Sequence, residues 1–449
     1  MKVTHPLPTS GSSSSYTLTA LDHLVFPIYL GGKFDLRGKD RYVALKRLQT
    51  AAAKLCAHLP VLTGSVVPAA DTEERFNAFE IKEQPASNPL LIDGRINPEF
   101  LPEPVIFDPS GPCPVVRIRA NLQGDFLHMV IGCHHMAIDG IGSTVVILVL
   151  AQLSRDPETP ASALSTTAAA QQNMREHLTK MDISSPPEPI EWNTNPYHLP
   201  LLASEDTKHK TLNIRYPIPK NKLALLQDAC RRILRDSSLY RAKDTLVSTS
   251  LIVGSLFGIC VHRARHAAGL GHLYESTLGF ASNLREKLAL PSSYIGNALV
   301  SVGANLDKQA ISSSDHGPLV SGVSTPDLYQ LTNVALSMSE ALDEYAGMLG
   351  TLRALEGRSS VHVSIRGLAF SDLHKLGHYG DYGLLGEVQD FGIPGNELGG
   401  VGWLLPNKPG KKKGYYELQV ALERASIEEL EKDGLFQWIT GTGPTASKL

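Results

Sequence analysis

The sequence predicts an α+β fold in two halves, and three observations carry that expectation. Helical and strand-like runs are grouped rather than strictly alternating, which favours sheets flanked by helices. A polar stretch over 183–212, including Ser184-Ser185-Pro186-Pro187-Glu188-Pro189, is too broken for a core and divides the chain. The 449 residues are 42% apolar, enough for more than one core of ordinary size. The expected units are a mobile leader over 1–16, an N-terminal domain over 17–182, a crossover over 183–212, a C-terminal domain over 213–440 and a flexible tail over 441–449.

Taken in order, the serines from Ser12 to Ser15 mark the leader, and order begins at Leu18-Thr19-Ala20-Leu21-Asp22. Arg41 to His58 reads as a helix with Tyr42, Val43, Leu45, Leu48, Ala52 and Leu55 on one side, stopped by Pro60. Leu62 to Val67 and Arg75 to Ile81 read as strands, and a Pro-rich connection runs from Asp93 to Pro114. Val115 to Ala120 and Phe126 to Cys133 form a hairpin about Asn121-Leu122-Gln123-Gly124-Asp125. Ser143 to Leu153 suits a buried helix, and a further helix fits within Ala168 to Met181. The second half opens with a strand, Thr211 to Tyr216, and a helix, Lys220 to Arg235. Thr249 to His266 is a long apolar helix ending in Arg263-Ala264-Arg265, cations that suit a helix C-terminus. Strands near Ser276 to Ala281 and Ala298 to Val302 precede a long helix from Asp327 to Leu355 and a strand at Val361 to Ile365. Eight glycines between 376 and 400 mark loops and bulges. Val401 to Leu405 and Tyr416 to Leu422 alternate as strands about a Lys-rich turn, and Ile427 to Gly434 is a terminal helix.

Composition excludes several classes. A formal net charge of -3 and 6% aromatics leave no basic footprint for nucleic acid. No apolar run reaches the ~18 residues of a membrane span. Cys56, Cys113, Cys133, Cys230 and Cys260 are odd in number and widely spaced, which argues against a disulfide framework or a zinc site and for a reducing compartment. His262, His266 and His272 have no metal-ligand spacing beyond one i, i+4 pair and read as structural; no metal is expected. The ending Ser447-Lys448-Leu449 is a peroxisomal address read by an import receptor, so a peroxisomal protein is expected, and otherwise a cytoplasmic one.

The stretch that carries chemistry is Cys133-His134-His135-Met136-Ala137-Ile138-Asp139-Gly140, where a buried strand hands over to a buried helix. Such a junction presents a side chain into a cleft while the scaffold holds it still. A neutral imidazole, with an ordinary pKa near ~6.5, suits proton abstraction at neutral pH. His134 is expected on the opposite face of the extended segment, and Cys133 is expected to be packed rather than reactive. Gly140 and Gly142 permit close approach.

At His135-Met136-Ala137-Ile138-Asp139-Gly140 the chain resembles the BAHD acyltransferases, and more closely their fungal branch, the trichothecene O-acetyltransferase-like proteins. Leu18-Thr19-Ala20-Leu21-Asp22 is similar to the family's opening, and Leu59-Pro60-Val61-Leu62-Thr63-Gly64-Ser65 to its first helix–strand corner. Ser282-Asn283-Leu284-Arg285 and Tyr294-Ile295-Gly296-Asn297 resemble its Arg-containing strand end and Tyr-x-Gly-Asn segment. Asp390-Phe391-Gly392-Ile393-Pro394-Gly395 stands where the family has Asp-Phe-Gly-Trp-Gly, with Ile393 in place of the tryptophan. Trp403-Leu404-Leu405-Pro406 and Tyr416-Glu417-Leu418-Gln419-Val420 follow as its last strands do. Ser248-Thr249-Ser250 keeps the family's Ser-Thr but continues Leu251-Ile252 rather than Asn-Asp-Ala.

The resemblance implies two chloramphenicol-acetyltransferase-like domains, each a mixed β-sheet flanked by helices, in a monomer with a tunnel at the domain interface. Acyl-CoA, acetyl-CoA by family default, would enter one face as co-substrate, and a small-molecule alcohol or amine the other, with no permanently bound cofactor. It implies His135 as general base in direct acyl transfer, without a covalent enzyme intermediate. It implies that Asp139 pairs with Arg285 and that Asp390 and Gly392 brace the loop closing the CoA channel. Ser248, Thr249 and Asn297 are expected to hydrogen-bond the pantetheine arm or the oxyanion. Lys408, Lys411, Lys412 and Lys413 either hold CoA phosphates or form a solvated turn. The alternative is a catalytically altered relative that binds a metabolite, or promotes cyclisation or condensation, without free acyl-CoA.

Overall fold

The computed structural model describes residues 15–22, 28–70, 79–82, 90–93, 112–180, 211–237, 248–309, 311, 319–344, 367–394, 399–408 and 414–441. Most of the leader and crossover, the strand expected at Val361 to Ile365, the long helix beyond Glu344, Lys411 to Lys413 and the terminal Ser447-Lys448-Leu449 lie outside them.

The first half contributes β1 (Ser15–Thr17), β2 (Ile28–Asp35), α1 (Arg41–His58), β3 (Ser65–Pro68), β4 (Phe79–Lys82), β5 (Leu90–Asp93), β6 (Cys113–Pro114), β7 (Val116–Gln123), β8 (Phe126–Cys133), α2 (Gly140–Arg155) and α3 (Ala168–Lys180). The second contributes β9 (Thr211–Pro219), α4 (Lys220–Asp236), α5 (Thr249–Ala267), β10 (Thr277–Asn283), β11 (Leu299–Asn305), α6 (Thr325–Glu344), β12 (Leu368–Asp372), β13 (Asp390–Gly392), β14 (Val401–Leu404), β15 (Tyr415–Glu423), α7 (Arg424–Leu430) and α8 (Gly434–Thr440). Three sheets form, ordered β1-β4-β3-β6, β13-β2-β8-β7-β5 and β11-β10-β12-β14-β15-β9. The last is mixed, with β12 parallel to both β10 and β14, as in an α+β layer flanked by helices. Among the described residues no helix is long and apolar enough to cross a membrane.

Local chemistry explains the elements that place the site. The Asp40 side chain caps α1 by accepting from the Val43 N–H. Its buried stripe is Ala44, Leu48, Ala51, Ala52, Leu55 and Cys56, so Tyr42 (75% exposed) and Val43, expected on the apolar side, lie off it. The β7–β8 hairpin is tighter than expected, because β7 runs on to Gln123 and Gly124, at φ +59°, makes the turn with Asp125. β8 is buried over its last five residues, Val130 to Cys133 among them, and leads directly into the motif.

One strand of the second half joins a sheet of the first. β13 pairs antiparallel with β2, so Asp390-Phe391-Gly392 extends the sheet of the first half. The glycine-rich approach lies along α2: a Cβ on Gly380 would sit 2.8 Å from Ala151, and one on Gly383 (φ +64°) 2.7 Å from the Arg155 backbone. Tyr382 packs edge-on to Phe34 at 4.9 Å within the first core. The C-terminal unit expected over 213–440 thus encloses a stretch that packs with the other half, because strand pairing and close glycine contact, not chain order, decide its place.

Candidate active site

His135 follows β8 and is 9% exposed. Its Nδ1 lies 3.2 Å from the Asn297 Oδ1, and its carbonyl oxygen accepts from the Asn297 Nδ2 at 2.6 Å. The second acceptor of that Nδ2 is the Asp22 Oδ1, at 3.2 Å. The amide nitrogen therefore faces two acceptors and its oxygen faces the imidazole. That arrangement assigns the imidazole proton to Nδ1 and the lone pair to Nε2. Burial lowers the His135 pKa from its ordinary value, and a backbone hydrogen bond, the Asp139 charge and Asn297 partly offset it. The ring is consequently neutral at physiological pH, the form a base needs.

His134 turns the other way. Its Nδ1 accepts from the Met136 N–H at 3.2 Å, and burial pushes its pKa down to about 3. Cys133 is fully buried, with its thiol pushed up to about 12, and all five cysteines are unbridged. Neither group is set up for nucleophilic or acid–base work.

Asp139 is 0% exposed and does two jobs at once. As the N-cap of α2, its Oδ1 accepts from the Gly142 N–H at 2.7 Å. Both oxygens are also gripped by the Arg285 guanidinium, Nη1 to Oδ2 at 2.9 Å and Nη2 to Oδ1 at 2.8 Å, while the Ala298 N–H donates to Oδ2 at 3.0 Å. Arg285 further donates to the carbonyls of Tyr294 and Gly296. One ion pair thereby ties the first turn of α2 to the 294–297 loop. Gly142 is required for that approach, since a Cβ there would stand 1.9 Å from the Ile295 carbonyl oxygen.

The other expected site residues divide. Asn297 is brought to His135, with its amide hydrogens directed at protein acceptors rather than toward an open side. Ser248 is exposed and caps α5, accepting from the Leu251 N–H at 3.3 Å, and Thr249 is the first residue of that helix. Asp390 pairs with Arg215 of β9 at 2.8 Å, so it joins the sheet of the first half to an edge strand of the other. Gly392 faces Gly31 across the β13–β2 pair. Ile393 is buried, and Gln419 clamps its backbone, accepting from its N–H at 3.1 Å and donating to its carbonyl at 2.6 Å. Lys408 donates to the Gln389 side chain at 3.0 Å.

Several polar residues at the site were not singled out from sequence. Asp22, Arg175 and Gln171 are buried behind Asn297; Gln171 holds the loop through the Ser293 carbonyl and the Ile295 N–H. His378 bridges α2 and β13, with its Nε2 3.1 Å from the Thr144 Oγ1 and its ring 4.5 Å from Phe391. Asp22 belongs to the segment that resembles the family's opening, and its Thr19-x-x-Asp22 spacing is that of a local side-chain turn, but neither feature points to Asn297.

Known proteins share this architecture. The chain is 24% identical to the fumigaclavine B O-acetyltransferase easN of Aspergillus fumigatus, over 94% of this chain and 97% of that protein. The crystal structure of F. sporotrichioides TRI101 complexed with coenzyme A and T-2 superposes with a TM-score of 0.68 at 16% identity, covering 95% of this chain and 99% of that one. Vinorine synthase superposes with a TM-score of 0.58 at 15% identity, over 97% and 95% of the two chains. No family model matches the chain.

Proposed function

We propose that this chain, a BAHD-type acyltransferase related to the fungal O-acetyltransferases, moves an acetyl group from acetyl-CoA to a hydroxyl of a secondary metabolite. The observation that carries the reading is the His135–Asn297 contact, which leaves the Nε2 lone pair as the proton acceptor in a buried, neutral ring. The O-acetyltransferase name of the relative and the coenzyme A bound by the structural neighbour support the donor.

The acceptor hydroxyl attacks the thioester carbonyl as His135 Nε2 takes its proton. A new C–O bond forms and the carbonyl oxygen becomes a tetrahedral oxyanion. The oxyanion collapses, the C–S bond breaks, and the imidazolium returns the proton to the departing thiolate. Products are the ester and CoA thiol, and no enzyme atom is acylated. Asp139 and Arg285 are positioning groups here, because their polar contacts are to each other, to backbone groups and, for Arg285, to the Asn283 side chain. Asp390, Gly392 and Ile393 fix the strand that links the two halves beside the donor's expected path.

Purified protein incubated with acetyl-CoA and a panel of polycyclic alcohols is expected to release CoA thiol in step with ester formation. Conversion of an acceptor with no thiol released would favour the reading in which free acyl-CoA plays no part.

A further inference from the structure

We propose that Asp22 is a positioning residue for His135 and acts through Asn297. The inference deepens the reading of His135 as the base and rests on it. Asp22 is fully buried at the end of the opening Leu18-Thr19-Ala20-Leu21-Asp22 segment. Its Oδ2 accepts from the Thr19 N–H at 2.6 Å, the Thr19 hydroxyl at 2.9 Å and the Arg175 Nη1 of α3 at 3.2 Å. Its Oδ1 accepts from the Asn297 Nδ2 at 3.2 Å and the Asn297 N–H at 3.4 Å. Asp22, Asn297 and His135 therefore form one chain of contacts drawn from three distant parts of the sequence.

The charge of Asp22 decides which end of Asn297 the imidazole meets. An amide turned over would set its oxygen against a carboxylate and the His135 carbonyl, two repulsive contacts in a dry site. It would also set amide hydrogens against the Nδ1–H. With Asp22 in place the oxygen faces Nδ1, and the lone pair stays on Nε2. The same negative charge, two hydrogen bonds from the ring, favours the imidazolium formed when the base takes its proton. The other ionisable groups nearby are Asp139 with Arg285, His134, which burial keeps neutral, and Arg175, which pairs with Asp22. The Asp139 oxygens are directed to Arg285, Gly142 and Ala298 and not to Asn297. Asp22 is thus the carboxylate connected to the ring through Asn297.

The test is Asp22→Asn in the full chain, where a neutral amide offers Asn297 a donor as readily as an acceptor. The His135 imidazole, assigned in the NMR spectrum by comparison with His135→Gln, is expected to titrate at lower pH than in wild type. The value of kcat is expected to fall roughly 10- to 100-fold, with both KM values within about twofold. The titration needs no substrate, so it reads the Asp22–His135 link even where the assigned reaction is wrong. A folded variant with the wild-type titration overturns the proposal, whatever its kcat or melting temperature. Should Asp22→Asn not fold, Asn297→Leu keeps the Thr19 and Arg175 contacts to Asp22 and is expected to lower the His135 titration likewise. An unchanged titration there also overturns it.

Discussion

Replacing Arg285 with alanine is expected to lower stability by about 3–5 kcal/mol, because it leaves a buried carboxylate without its counter-charge. Asp139 would keep only the Gly142 and Ala298 N–H groups, and the Tyr294 and Gly296 carbonyls would each lose a donor. For a chain of 449 residues unfolding as one unit that corresponds to a fall in Tm of roughly 3–5 °C. The 294–297 loop carries Asn297, so activity is expected to fall as well, beyond what the folded fraction accounts for. Thermal unfolding followed by circular dichroism measures the first effect. A variant that melts within 2 °C of wild type, on that rough scale, would show that the ion pair does not hold α2 to the loop.

His135→Ala is expected to slow acyl transfer by roughly 10²–10⁴-fold, the contribution of a positioned general base. The loss falls on kcat, since the imidazole acts on a proton in flight and not on the ground-state grip of either substrate. Unlike the Arg285 change, it removes a neutral ring and leaves no buried charge unpaired, so cooperative unfolding is expected to persist. Steady-state kinetics with acetyl-CoA and an accepted alcohol separate the two variants: one loses stability first, the other chemistry. Wild-type turnover in His135→Ala would remove the base assignment.

The parts of this molecule that were legible in the sequence are those written in local pattern. α1, α2, α4 and α5 lie where periodic or apolar runs predict helices, and β9 and β15 where strands are expected. The His135-to-Asp139 spacing at a strand–helix junction marks the site. The partnership of Asp139 with Arg285, 146 positions away, could be anticipated only through resemblance. Other long-range polar contacts were not legible. Arg265 reads only as a cation suited to a helix C-terminus, and in the structure it is buried, with its Nη2 2.8 Å from Glu423 and its guanidinium over the Tyr274 ring at 3.5 Å. Arg175 and Gln171 sit in a segment that reads as a helix, but nothing in its pattern marks these two polar side chains as facing inward to Asp22 and the 293–295 backbone. The glycines of 377–386 read as loop, whereas their absent side chains are what let the segment press on α2.

The measurement that bears most directly on where the proton goes is the pH dependence of kcat/KM. Burial holds the His135 pKa below its ordinary 6.5, so the neutral base persists as pH falls through that value. The rate is expected to stay level down to about pH 6.5 and to decline only below it, with that acid limb lost in His135→Ala. An acid limb centred above 6.5, or the same limb surviving in His135→Ala, would contradict a buried, neutral His135 as the base.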